Sequence, residues 1–293
     1  MDDITRPQLL ARGMTDRRIR AAVARGELVR LRRGHFSTPS ADARMQRAVA
    51  LGGRLACVSE LRSRGVWVLD DERIHLHVPP TSSRVRSEGA RVHWRRLLHH
   101  EAVTSAHVGA VDALVQAHRC LDPIAWIASL DSALRLGIIR ESELSVIRGA
   151  IRRQDRRLIE LVDRRAESGL ESIARVIARE LGFRVRSQVR FPGVGRVDLL
   201  VEGWVVVETD GSAFHDAAVS ARDRLRDARL TALGRTVIRP GYSLVVYDRQ
   251  ALARQLIGAV SSHRRVKDAG RIAARARRRM TSASSSWIFD GPE

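Results

Sequence analysis

A single lysine, Lys267, stands among 293 residues, together with two cysteines and no apolar run long enough to cross a bilayer. Cys57 and Cys120 are too few and too isolated for a disulfide framework or a zinc site, so both read as buried thiols. The N-terminus, MDDITRPQLL, opens acidic and lacks the apolar core of a signal peptide. No lipidation motif is present. These absences predict a cytoplasmic, reduced protein without a membrane partner.

What is plentiful is arginine. Lys and Arg total 52 against 33 Asp and Glu, a formal charge of +19, and all but one of the basic residues are arginine. Arginine suits bidentate phosphate contact. A pI near 11.5 points to a polyanionic partner, nucleic acid first. At 44% apolar the chain has ample material for cores, and its length suits two or three domains. The predicted class is an α/β and α+β multidomain protein.

Residues 1–40 read as a winged helix-turn-helix. Thr5 can cap a short helix with Pro7 in its first turn, and Gly13 ends it. Thr15 caps a second helix, Asp16 to Arg25, closed by Gly26. Ile19, Ala22 and Val23 form its buried stripe, and Arg17, Arg18, Arg20 and Arg25 occupy much of the rest. Leu28–Leu31, the turn Arg32-Arg33-Gly34 and His35-Phe36 make a small hairpin. This stretch resembles the N-terminal domain of AbiEi-type antitoxins of bacterial abortive-infection systems. The resemblance implies that the Asp16–Arg25 helix enters the major groove of double-stranded DNA. Arg30, Arg32 and Arg33 would then lie on or beside the wing, near phosphates. A winged helix used for protein contacts is the alternative.

Residues 41–165 read as a connector, α+β at first and helical after about 102. Helices are predicted over Ala43–Leu51 and, capped by Ser59, over Glu60–Arg64; strands over Ile74–Val78 and Arg91–Trp94. His75 and His77 share one strand face, with His93, His99, His100 and His107 downstream. No spacing among them repeats a zinc-ligand pattern, so they read as an ordinary solvated sheet face. Four helical stretches follow: Ala110–Cys120, Ile124–Leu136, Glu141–Ile151 and Leu158–Arg165, with Asp163 and Glu167 as linker charges. Residues 263–293 read as a basic, disordered tail that can add non-specific DNA affinity or lie solvated.

The densest chemistry lies in Arg196 to Asp210, RVDLLVEGWVVVETD. Val197–Val201 and Trp204–Val207 are apolar runs around a Glu202-Gly203 turn signal, a predicted hairpin. Asp198, Glu208 and Asp210 interrupt it. Buried carboxylates are costly unless paired, hydrogen-bonded or metal-bound, and converging hard oxygens suit Mg²⁺. A two-residue turn would set 198 opposite 207, whereas a three-residue loop, Glu202-Gly203-Trp204, sets 198 opposite 208. Strand-end charges facing solvent are the plain alternative.

These residues resemble the very-short-patch-repair (Vsr) endonuclease-like domains of the PD-(D/E)XK nuclease superfamily. The matching stretches are Ser168-Gly-Leu-Glu171, Arg196-Val-Asp198, Glu208-Thr-Asp210-Gly211, His215 and Asp223 to Asp227, running to Leu233-Gly234, over about 166–262. The resemblance implies a restriction-endonuclease-like mixed-sheet core cleaving DNA with Mg²⁺, or Mn²⁺, at Asp198, Glu208, Asp210 and Glu171. It makes His215 a proton-transfer residue and sets Arg226 at the scissile phosphate. The superfamily's usual motif ends in lysine, where this chain has Asp210, as the Vsr-like branch does. Locally, Ser168 and Glu171 also spell a capping box. His215 could simply cap the next helix, and Asp223, Arg226 and Asp227 could pair along theirs. Two functions follow: a metal-dependent DNA endonuclease of phage defence or a toxin–antitoxin-like system, or a DNA-binding repressor or antitoxin with an inactive core. An enzyme cutting RNA is a third.

Overall fold

Thr5 opens the first helix because its N–H donates to Gln8 Oε1 at 2.8 Å, fixing the first turn. Thr15 opens the second by accepting the Arg18 N–H at 3.3 Å, and Gly13 and Gly26 terminate the two helices at φ +79° and +75°. The computed structural model describes residues 3–69, 72–82, 89–99, 103–209, 217–263 and 268–282, of which 217–223 and 282 by backbone alone. The chain is a mixed α/β protein of two compact units, Met1–Cys120 with Ile138–Arg153, and Leu121–Gly137 with Gln154–Glu293.

The first unit begins with β1 (Ile4–Thr5), α1 (Arg6–Ala11), α2 (Asp16–Ala24), β2 (Val29–Arg32) and β3 (His35–Ser37). Their sheet has the order β1-β3-β2, antiparallel throughout. Ile4, Leu9, Ile19 and Phe36 are its core, and Val23 packs partly against them. Next come α3 (Ala43–Ala50), β4 (Arg54–Leu55), α4 (Cys57–Ser63), β5 (Ile74–His77) and β6 (Ala90–His93). In this second sheet β4 is antiparallel and β6 parallel to the central β5. α4 starts earlier than the sequence predicts. Ser59 is buried within it and accepts the His75 N–H at 3.0 Å, so it does not cap. His75 and His77 are 1% and 2% exposed, which corrects the expectation of a solvated sheet face. The chain continues through α5 (Ala110–Ala117), then α6 (Pro123–Arg135) of the second unit, and returns with α7 (Glu143–Ala150).

The second unit adds a 3-10 helix (Arg153–Leu161), α8 (Gly169–Glu180), β7 (Val185–Phe191), β8 (Gly195–Val201), β9 (Val205–Val207), α9 (Ala217–Ala232), β10 (Thr236–Ile238), α10 (Tyr242–Tyr247), α11 (Arg249–Ser261) and α12 (Ala269–Ser282). Its sheet runs β10-β9-β8-β7, with β7, β8 and β9 antiparallel and β10 parallel to β9.

The expected connector of 41–165 is therefore divided between the units. α6 is buried on every side from Ile124 to Ala133, with Trp126, Ile127 and Leu130 in the core, and packs on α8. It also carries Asp131, buried and ion-paired to the buried Arg175 of α8 at 2.6 Å. Asp131 Oδ1 accepts the Asp163 N–H at 2.7 Å, and Asp163 Oδ2 accepts the Ser187 hydroxyl at 2.9 Å. Asp163 is thus a buried junction rather than a linker charge. Asp122 caps α6 and pairs with the buried Arg249 of α11 at 2.8 Å. The tail also departs from expectation over 269–282. Ala269, Ala273 and Ala276 recur at helical spacing and are buried, and α12 packs on α11. The expected disorder of 283–293 lies outside the described residues.

Removing one partner of a buried ion pair strands the other charge. Arg175→Ala should cost about 3–5 kcal/mol in urea unfolding. The double change Asp131→Leu with Arg175→Met strands no charge and should recover part of that loss, with the remainder due to the Asp163 N–H and Leu161 carbonyl left without these partners.

Candidate active site

β8 and β9 are joined by the three-residue loop Glu202-Gly203-Trp204, with Glu202 at φ +52° and Gly203 at +87°. A non-glycine residue holds that left-handed turn because its carboxylate is anchored. Glu202 accepts the Arg184 N–H at 2.7 Å and the Arg184 guanidinium at 3.1–3.2 Å. The pairs Leu199↔Val207 and Leu200↔Val206 then put Asp198 opposite Glu208. The condition that the sequence posed is met.

The same registers, extended one step, complete a polar row across an apolar sheet. On β7, Ser187↔Leu199 and Val189↔Val197 put Gln188 opposite Asp198. Beyond β10, Ile238↔Val207 puts Arg239 beside Glu208. The row is Gln188, Asp198, Glu208, Arg239. Leu200 and Val206, the cross-strand pair two residues along, pack against Leu230 of α9 on the same face. That packing brings Arg226 of α9 within 2.8 Å of Glu208 Oε1, and Arg226 also donates to the Arg196 carbonyl.

Each carboxylate is held. Asp198 Oδ2 accepts the Thr209 N–H at 2.9 Å. Glu208 is buried and bracketed, with Arg239 donating to Oε2 at 2.8 Å while Arg239 also grips Asp227 at 2.5–2.6 Å. Glu171, on the first turn of α8, is 1% exposed. It accepts the Glu167 N–H at 2.8 Å and the Gln188 amide at 2.9 Å. Only half of the capping box forms. Ser168 Oγ accepts the Glu171 N–H at 3.1 Å, but the Glu171 carboxylate goes to the Glu167 amide instead of Ser168's. Gln188, mid-strand, has φ +55°. A left-handed non-glycine residue costs on the order of 1 kcal/mol or more, and such strain gathers at functional sites.

The electrostatics follow from this placement. Burial pushes the Glu171 carboxyl up to about 7; the negative Asp198 and Glu167 add to the rise, and its hydrogen bonds from Glu167 and Gln188 oppose it. Burial also raises Glu208, again with Asp198 contributing, against the pull of Arg226 and Arg239. Glu171, Asp198 and Glu208 thus feel one another's charge. All their donors are hard oxygens, the set that Mg²⁺ and Mn²⁺ take. The raised proton affinities of Glu171 and Glu208 come first from burial, with the charge of Asp198 a smaller contribution. The chemistry of the donor set suits such an ion, but in this arrangement the three carboxylates do not converge as a ligand cluster. At Glu208 the two arginines supply the counter-charge in this arrangement.

The structure therefore brings together Glu171, Asp198, Glu208 and Arg226. Asp210 and His215 lie outside the described residues, as does the Asp223 side chain. Arg226 reaches across to Glu208 and Asp227 to Arg239, while any pairing of either with Asp223 lies outside the described residues. Glu167 pairs with Arg196 at 2.6 Å, so it too is more than a linker charge. Sequence reasoning missed Gln188 and Arg239, which only strand register could have supplied. Arg17, Arg18, Arg20, Arg30, Arg32 and Arg33 are exposed on α2 and the β2–β3 hairpin and form no ion pair among the described residues. Asp16, the acid on that helix, is engaged by Arg6 at 2.6–2.7 Å. No protein-family model matches the chain, and no curated protein matches it.

Glu171 yields a pH prediction. Its folded value of about 7 exceeds the ordinary 4.5. The stabilisation from protonated Glu171 is thus complete below about pH 4.5 and is lost as pH rises through about 7. Glu171→Gln should raise Tm on the order of 5 °C at pH 8, with the gain vanishing by about pH 4–5.

Proposed function

We propose that the chain is a metal-dependent endonuclease that hydrolyses phosphodiester bonds of double-stranded DNA. The observation that carries this reading is the in-register opposition of Asp198 and Glu208, with buried Glu171 charge-coupled to Asp198. The fold around them, a helix, three antiparallel strands, a helix and a parallel fourth strand, accords with a restriction-endonuclease-like core.

Asp198 and Glu208 would hold Mg²⁺ or Mn²⁺, with Glu171 beside them and Asp210 as the remaining expected ligand. When bound, such an ion activates water and offsets phosphate charge. Arg226, one helix turn before Leu230 on α9 and 2.8 Å from Glu208 Oε1, could exchange Glu208 for an anionic phosphate. Glu171 titrates near neutrality, where a carboxylate takes up and releases protons most effectively. His215 remains the other expected proton-transfer residue. α2 and the β2–β3 hairpin, read as a winged helix-turn-helix, would supply duplex affinity through Arg17, Arg18, Arg20, Arg30, Arg32 and Arg33.

One observation favours a second reading, a DNA-binding repressor or antitoxin with an inactive core. Both oxygens of Glu208 already face guanidinium groups, so its charge is balanced without a cation.

Supercoiled plasmid with Mg²⁺ or Mn²⁺ separates the two. The nuclease reading predicts nicking or linearisation that falls at least about hundredfold in Asp198→Ala and in Glu208→Ala. A salt-sensitive gel shift without cleavage under either metal supports the second reading. Under both, replacing Arg17, Arg18 and Arg20 together with Ala should flatten the slope of log K against log salt by up to about 3.

A further inference from the structure

Far from the carboxylates in sequence, the first unit gathers two thiols and two imidazoles. One ligand atom from each of Cys57, His75, His93 and Cys120 lies within 4.8 Å of all the others. Among the described residues this is the one such convergence of three or more His, Cys, Asp or Glu side chains. Four elements deliver them: the first residue of α4, β5, β6, and the segment just past α5. The parallel register His75↔Arg91 and His77↔His93 puts His75 and His93 on one sheet face.

We infer that Cys57, His75, His93 and Cys120 form a structural zinc site. A tetrahedron of thiolates at about 2.3 Å and imidazoles at about 2.0–2.1 Å has ligand-to-ligand edges of roughly 3.3–3.8 Å. His93 Nε2 stands 3.3 Å from His75 Nδ1, the nitrogen–nitrogen edge, and 3.9 Å from Cys120 Sγ, close to the nitrogen–sulfur edge. The widest pair has to close by about 1 Å or less to complete the shell. Two thiolates with two imidazoles suit the borderline-soft Zn²⁺ and not the hard Mg²⁺ expected at the carboxylates, so this is a separate site.

Backbone hydrogen bonds fix the segments that carry the ligands. The Cys57 N–H donates to Gln116 Oε1 at 3.1 Å, and Gln116 lies on α5, the helix that leads to Cys120. The Ala56 N–H donates to the His75 carbonyl at 3.0 Å, and the His75 N–H to Ser59 Oγ at 3.0 Å, so α4 and β5 are tied on either side of the cluster. Cys57 itself sits at φ +52°, a backbone state that a cysteine adopts at a cost. Cys57 and His75 are buried and His93 and Cys120 are partly open, which leaves an entry path. Bound zinc would cross-link α4, β5, β6 and the end of α5.

The test is metal analysis of the full chain, purified without added metal, with Co²⁺ exchange as a second readout. The site predicts one zinc per chain and a thiolate-to-cobalt charge-transfer band. Cys120→Ser should lose both, with zinc occupancy down at least tenfold, and a chelator should lower the wild-type Tm. Wild-type protein with no zinc and no cobalt band would overturn the inference without recourse to any variant. So would an intact mass two hydrogens light from a Cys57–Cys120 disulfide, or full zinc retention in Cys120→Ser.

Discussion

The second unit hangs on the buried Asp131–Arg175 pair. Neither side chain is more than 1% exposed, and the pair connects α6 to α8. Two such ions are tolerable only when further hydrogen bonds help to satisfy them. Asp131 also takes the Asp163 amide, Arg175 the Leu161 carbonyl, and Asp163 the Ser187 hydroxyl of β7. Burial raises the Asp131 carboxyl, while at Asp163 burial is outweighed by bonds from Arg165 and Ser187, which hold it at about 2. One polar network thereby sets α8 against β7, and with them Glu171 against Gln188. Loss of the network would displace the carboxyl edge before it unfolded the sheet.

At that edge burial, more than unbalanced charge, raises the Glu171 and Glu208 carboxyl groups. Asp198 raises the proton affinity of both Glu171 and Glu208, and each of the three is constrained by a different element. Glu208 is quieted by Arg226 and Arg239, Asp198 by Thr209, and Glu171 only by neutral donors. Arg239 is further secured by Asp227, whose hydrogen bonds together with Glu208 raise its own proton affinity. Under the proposed nuclease function, a divalent cation would take the place of these arginines at Glu208. Phosphate oxygens would then take the released guanidinium groups.

Much of this was legible before any coordinates. The helix starts at Thr5 and Thr15, the buried stripe of α2, and the hairpin condition on Asp198 and Glu208 all followed from local chemistry. What stayed hidden depended on long-range register or on partners far apart in the chain. Gln188 and Arg239 join the site only through the pairing of β7 and β10. Asp131 and Arg175 are 44 residues apart, and a lone aspartate inside an apolar helix gives no hint of its partner. The cysteine and histidine cluster has no short repeated spacing, so counting cysteines argued against zinc where the parallel β5–β6 pair gathers the ligands. The α12 helix hid behind its arginines, because a stripe of alanines carries little hydrophobic signal.

Crystals of the full chain soaked in Mn²⁺, with anomalous scattering recorded, test the central claim most directly. The account predicts a manganese peak bonded to Asp198 and Glu208 oxygens, with Arg226 or Arg239 moved off Glu208. A map with no peak at that edge, and both arginines still on Glu208, would contradict it.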